Sequence, residues 1–123
     1  MFLLLTSCFC LTCNYSYVTS KHAVLGLSKV MALETAAHGI TVNSICPGFV
    51  DTPLMRAQIK KQAELNKMSE EDVATQIMLK PACIKKFTTV DQVAAFVEFL
   101  VSDDASTITG EAFSQSGGWG MGR

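Results

Sequence analysis

Hydrophobic and polar positions along the chain divide it into helical stretches, alternating stretches and an apolar start. Over residues 16–38, Val24, Leu27 and Met31 fall on one face of a 3.6-residue helix and Val30, Leu33 and Ala37 on another. A helix apolar nearly all round is expected to be covered on more than one side, by its own domain or by a neighbouring subunit. His38 in its last turn and Gly39 beyond make a stop signal. The stretch ITVNSICPG then carries Ile40, Val42, Ser44 and Ile45 before Pro47 and Gly48 break it, which predicts a short strand feeding a loop.

A second helix is expected from near Pro53, with Arg56, Lys60, Lys61, Glu64 and Lys67 as a solvated face. Ser69 with Asp72 three residues on predicts the start of a third helix, which must stop before Pro81. Thr89 with Gln92 repeats the device for a fourth. There Val90, Val93, Ala94, Val97, Leu100 and Val101 keep the helical period, so an amphipathic helix laid on a sheet or another helix is expected. Residues 111–115 are a candidate strand, and Gly117, Gly118 and Gly120 make a turn-rich tail. No internal repeat is present.

Strands near residues 40 and 112 separated by helices give an α/β order, because parallel strands need such crossovers. Two strands are not a stable sheet. The first 13 residues, MFLLLTSCFCLTC, bear on this in three ways. The run is strand-length and could supply a third strand. It resembles the hydrophobic part of a secretion signal, though without a basic start or a convincing cleavage site, and it is too short to span a bilayer. Or it is a substituted start of a longer protein.

Composition sharpens the picture. At 49% hydrophobic and 17% charged, the 123-residue chain holds at most one domain and has more apolar surface than a small monomer easily buries, so a partner is implied. A net charge of -1 without a basic or acidic run points away from nucleic acid and from an anionic membrane surface. The five cysteines, Cys8, Cys10, Cys13, Cys46 and Cys83, lack paired spacing and read as reduced thiols of a cytoplasmic protein. No histidine or second cluster completes a metal site around the first three, so no metal is expected.

The candidate chemistry lies at the start of the first helix, where Tyr17 and Lys21 are four residues apart and therefore share a face. A phenol ordinarily titrates at about pH 10, and an adjacent cation favours its phenolate, so such a pair could exchange a proton with a substrate hydroxyl or carbonyl. Spacing of this kind also arises by chance. The segments after the pair are more specific: a long apolar helix, a strand, then CPGFVDTPL, and finally ITGEAFSQSGGW.

The run YVTSKHAVLGLSKVMALETAAHGITVNSICPGFVDTPL resembles the catalytic helix and following strand of the short-chain dehydrogenases/reductases, and the likeness covers about residues 15–119. Within that family TPLMRAQI, the acidic SEEDVA segment, FTTVDQVAAFVEFLVSDDASTITG and the terminal GGW are most similar to the D-3-hydroxybutyrate dehydrogenases. The resemblance implies the C-terminal portion of a Rossmann-like parallel sheet fold, incomplete as it stands. It implies NAD as cofactor and a small hydroxy acid as substrate. By the same resemblance Tyr17 is the general acid/base, and Lys21 assists it and bonds the nicotinamide ribose. Pro47 and Gly48 match the turn beside the nicotinamide, Val50 the backbone contact to its carboxamide, and Thr52 a hydroxyl near the same group. Gln58 and Trp119 fall where residues enclosing the small acid are expected.

The departures are as informative. The family's serine, thirteen positions before the tyrosine, is here Leu4, and Ser7 is at the wrong offset. The positions of a carboxylate-binding histidine and lysine are Thr6 and Asn14. No glycine-rich turn between a strand and a helix is present to cradle a pyrophosphate. Residues 1–14 are accordingly read as an apolar segment unlike the family, and residues 15–123 as the C-terminal part of a short-chain dehydrogenase domain. The expected function is that of a truncated NAD-dependent dehydrogenase whose full-length form oxidises 3-hydroxybutyrate to acetoacetate, with little or no turnover by this chain. A second reading is a non-catalytic isoform that associates with full-length subunits; homo-oligomers are expected on the first. A third is a product without function.

Overall fold

A computed structural model describes residues 2–5 and 15–119. Cys8, Cys10 and Cys13, and with them the metal reading, lie outside the described residues, as do Thr6, Ser7, Asn14 and Gly120. Three parallel strands, β1 (Phe2–Leu5), β2 (Val42–Pro47) and β3 (Ala112–Gln115), form one sheet in the order β1-β2-β3. The third strand thus comes from the apolar start, with Phe2 opposite Val42 and Leu5 opposite Ile45. Between β1 and β2 runs α1 (Tyr15–Thr35), closed by a 3-10 turn, Ala36–His38, and by Gly39 at φ 69°. The positive φ is one that glycine adopts without a Cβ clash, so the stop read from the sequence has its physical cause here.

Alternation along β2 sets the layers. Ser44 and Ile45 are neighbours in a strand, so their side chains point to opposite faces of the sheet. On the Ser44 face lies α1, whose Ser28 Oγ accepts a hydrogen bond from Ser44 Oγ at 3.0 Å and in turn donates to the Leu25 carbonyl at 2.8 Å. The Ile45 face is covered by α4 (Val90–Val101), through a cluster of Ile45, Leu100 and Ala105 with Phe96, Val97, Ile108 and Phe113 packed around it. Covered on both faces and paired on both edges, β2 is buried from Val42 to Cys46.

Two helices match their expected starts but bury different faces. In α1 only the small residues Ser28 and Ala32 are buried, while Leu27, Val30 and Leu33 are 54%, 50% and 82% exposed. Among the described residues α1 is therefore covered on one side only, which leaves a neighbouring subunit as the expected cover for the other. Small side chains let the helix backbone approach the sheet, and the large ones are turned away. In α4, Val90 and Val101 are also exposed, and the packed stripe is Val93, Phe96, Val97 and Leu100.

Beyond the carboxyl end of β2 lies a second cluster. There α2 (Pro53–Asn66), the single turn α3 (Glu70–Asp72) and a π-helical segment, Val73–Met78, bring together Ile59, Ala63, Val73 and Met78. Phe49, Met55, Met68, Ala74 and Phe87 complete it. The predicted third helix is thus one α-helical turn running into a wider one. Among the described cysteines, Cys83 is a free, exposed thiol and Cys46 is disulfide-bonded, which corrects the reading of all five as reduced thiols. That reading rested on spacing in the sequence, which cannot see distances between separate segments. No helix among the described residues is long and apolar enough to cross a membrane.

Candidate functional site

In an open parallel sheet the carboxyl ends of the strands form one edge, and loops leaving that edge make the usual ligand crevice. Here that edge holds Pro47 at the end of β2 with Gly48 after it, and Ser116 to Trp119 after β3. Because α1 runs antiparallel to β2, its amino-terminal turns point to the same edge. Counting from the Ser28 and Ser44 contact, Lys21 lies about 10 Å back along the helix and Pro47 about 10 Å on along the strand, so the two are level. Tyr17 is one turn further out, half-exposed at 40%. The Lys21 ammonium stands 5.6 Å from the centre of the Tyr17 ring, a cation over an aromatic face.

The loop after β2 is fixed by backbone bonds. Gly48 N–H donates to the Gln115 carbonyl at 3.1 Å, and a Cβ on Gly48 would meet the Ser116 Cα at 3.0 Å. Glycine is required there because the two chain segments touch. Val50 bridges in parallel with Thr88, through Thr88 N–H to the Phe49 carbonyl at 3.0 Å and Asp51 N–H to the Thr88 carbonyl at 2.9 Å. In such a bridge the flanking residues make the bonds, so the amide and carbonyl of Val50 itself point away from Thr88. Thr52 caps α2, its hydroxyl accepting from Met55 N–H at 3.2 Å. Just before it, Asp51 takes a bidentate pair of bonds from Arg56, at 2.7 and 2.9 Å. These bonds from Arg56 hold the Asp51 carboxyl below its ordinary value.

Gln58 and Trp119 have different surroundings. Gln58 lies on α2 with its side chain exposed, next to but outside the buried row of Ile59 and Ala63. Trp119 is stacked on Phe49, ring centres 5.3 Å apart and planes at 19°, and Phe49 in turn meets Phe87 edge-on at 6.5 Å. Phe49 is the residue that sequence reasoning missed. Its place in CPGFV, directly after the strand-ending turn, was the available signal, but no spacing links it to a tryptophan seventy positions later. Tyr17, Lys21, Pro47, Gly48 and Trp119 all belong to segments that reach the carboxyl edge, whereas Gln58 stands on the outer helix. Among the described residues no group of three or more metal-ligating side chains occurs.

A phenol and an ammonium thus share one face of α1, and an aromatic stack of Phe49 and Trp119 joins the loop after β2 to the tail after β3. Known proteins are similar to this chain in sequence and in fold. A family model described as enoyl-(acyl carrier protein) reductase matches residues 6–120. D-beta-hydroxybutyrate dehydrogenase of Rhizobium meliloti (strain 1021) is 51% identical over 104 residues, covering 85% of this chain and 40% of that protein. The enzyme of the same name from Cupriavidus necator is 38% identical over the same length and shares. A short-chain dehydrogenase family protein from Francisella tularensis superposes with a TM-score of 0.87 at 32% identity, over 95% of this chain and 49% of that one. Actinorhodin polyketide ketoreductase, solved with NADPH, gives 0.84 at 30% identity, over 97% and 46%. The chain therefore spans about 40% of the length of the curated relatives it matches. On the family match and the shared α/β fold together, the chain belongs to the short-chain dehydrogenase/reductase family.

Proposed function

We propose that this chain carries the proton-transfer face of an NAD-dependent dehydrogenase that oxidises 3-hydroxybutyrate to acetoacetate. The observation that carries the reading is the Lys21 ammonium over the Tyr17 ring on one face of α1, a helix that follows β1 and precedes β2. The substrate is drawn from the similarity to D-beta-hydroxybutyrate dehydrogenases. NAD is our choice among nicotinamide dinucleotides; one solved relative, 4-hydroxyisoleucine dehydrogenase, is complexed with NADH. The residues present fit the nicotinamide end of such a molecule. Val50 turns its amide and carbonyl away from its bridge partner, which suits a carboxamide, and Lys21 is assigned by the family resemblance to a ribose hydroxyl. Pro47, Gly48 and Thr52 line the same loop.

A nicotinamide held beside Pro47, Gly48 and Val50 would supply the hydride acceptor for the substrate's hydroxyl-bearing carbon. Tyr17 receives the hydroxyl proton, so that the alcohol becomes a carbonyl and charge is balanced. Lys21, with its cation above the Tyr17 ring, helps to hold that ring in place. Trp119 is assigned to enclosing the short acid, and Gln58, exposed on α2, would meet it only from the outer helix. Leu4, at the position of the family's serine, has no hydroxyl to offer the substrate, so low turnover is expected.

The test supplies the amino-terminal half of a relative ahead of Tyr15 and monitors NADH formation with 3-hydroxybutyrate. Tyr17→Phe should abolish turnover with dinucleotide affinity nearly intact, whereas Lys21→Ala should lower both. Equal residual activity in the two variants would make the pair structural and sink the reading. A second reading, a non-catalytic partner of full-length subunits, is favoured by the exposed Leu27, Val30 and Leu33 of α1. It requires that the chain co-purify with a full-length relative.

A further inference from the structure

The loop between the π-helical segment and α4 is gathered by a single side chain. Leu79 N–H donates to the Ala74 carbonyl at 2.9 Å and Ala82 N–H to the Leu79 carbonyl at 3.1 Å, which folds a tight turn around Pro81. Carbonyl oxygens of this turn converge on the Lys85 ammonium. It donates to Ala82 at 2.6 Å, to Lys80 at 2.9 Å and to Leu79 at 3.0 Å. A lysine has three donors, and here all three are engaged. Carbonyls at the end of a helical segment also carry its negative pole, which a cation stabilises.

The same turn holds the C-terminal tail. Cys83 N–H and Ile84 N–H both donate to the Gly117 carbonyl, at 2.8 and 2.9 Å. The approach is close: a Cβ on Gly117 would lie 3.1 Å from the Ile84 carbonyl oxygen, and one on Gly118 3.1 Å from Cys83 Sγ. Directly after these glycines, Trp119 is turned back by its N–H to the Ser116 carbonyl at 3.3 Å and stacks on Phe49.

We propose that Lys85 is a positioning residue: by gathering the carbonyls of residues 79–82 it fixes the Cys83 and Ile84 amides that grip Gly117, and so sets Trp119 against Phe49 beside the strand-end turn. The proposal rests on the dehydrogenase reading only for what Trp119 does there, which is to enclose a small hydroxy acid. The clamp itself is independent of any turnover. Lys85 would then govern substrate enclosure from a distance, without touching substrate.

Trp119 is the single tryptophan of the chain, so its fluorescence reports the clamp directly. Lys85→Met keeps the length of the stem and removes the donors. Its expected effects are emission shifted to longer wavelength and an acrylamide quenching constant raised by about twofold or more, through local opening, with far-ultraviolet circular dichroism unchanged. Lys85→Arg, which retains donors, should recover most of the native signal. Gly117→Ala leaves Lys85 intact but strikes the far side of the clamp, and should expose Trp119 in the same way. Native emission and quenching in Lys85→Met would overturn the proposal. Should that variant lose its far-ultraviolet signal, native Trp119 quenching in Gly117→Ala would overturn it instead. Absence of hydroxybutyrate turnover in the completed enzyme, with the Trp119 response as expected, would remove the dehydrogenase reading and leave the clamp standing.

Discussion

Ser28 and Ser44 hold the site helix to the sheet by a chain of two buried hydroxyls, and each depends on the other. Ser28→Ala would leave the Ser44 hydroxyl without its acceptor in a fully buried place, a loss of about 1–3 kcal/mol. Replacing both by alanine should cost less than the sum of the two single changes, which denaturant titration of the four proteins would reveal. Asp51 supplies the pH dependence. Its carboxyl titrates below the ordinary 3.8 because Arg56 hydrogen-bonds the charged form, a gain that burial opposes and the Arg56 charge adds to. A folded value below the unfolded one means that the pair stabilises above the unfolded value and that this stabilisation is lost as pH falls through the folded one. Arg56 is largely exposed and Asp51 half-buried at the surface, so water reaches the pair and the effect is small and screened by salt. Carboxyl-carbon NMR should place the Asp51 midpoint below 3.8, rising toward that value in Arg56→Gln. At this scale the Tyr17 and Lys21 geometry was legible, because four-residue spacing on a helix is a local matter. Nothing local marked Ser28, an ordinary polar residue in an apolar run, as the contact that seats the helix.

Element boundaries were read most reliably where side chains cap the backbone. At α4, Thr89 Oγ1 accepts from Gln92 N–H at 3.1 Å and Gln92 Oε1 accepts from Thr89 N–H at 2.9 Å, the reciprocal box expected from the two residue types. Thr89→Ala should cost about 1 kcal/mol, and Thr89→Ser much less, measured by thermal or urea unfolding. Ser69 caps α3 in the same manner, with Asp72 N–H donating at 3.0 Å. The π-helical widening over Val73–Met78 left no such signal. It is a change of hydrogen-bond register that sets Val73 and Met78 into the cluster with Ile59 and Ala63, and side-chain types alone do not encode it. The α4 stripe was misjudged at its ends for a related reason. The helical period permits several adjacent stripes, and the position of Ile45 and Phe113 beneath the helix selects the one through Phe96 and Leu100.

For the molecule as a whole, the unburied surface matters most. Leu27, Val30 and Leu33 stand out from α1, and burying apolar area is worth about 25 cal/mol per Å², so contact with a second protein surface is the route by which they leave water. A net charge of -1 offers little electrostatic resistance to association. The chain is therefore expected to sediment as dimers or larger species at micromolar concentration, and Leu27→Lys with Leu33→Lys should shift it toward monomer. Unchanged sedimentation in the double variant would locate the association elsewhere.

The order of elements from α1 onward, the caps at Ser69 and Thr89, the stop at Gly39 and the common face of Tyr17 and Lys21 were determined by the sequence itself, since each depends on residues within a turn or two of one another. Tertiary structure decided the rest. It paired Phe2–Leu5 with β2, assigned Ser44 to α1 and Ile45 to α4, laid Trp119 on Phe49, and drew three carbonyls onto Lys85. The Lys85 grip spans only a few residues, yet it needs the turn already folded; the others join positions tens of residues apart. Such contacts form only when burial of β2 brings the segments together, and no short-range pattern carries that information.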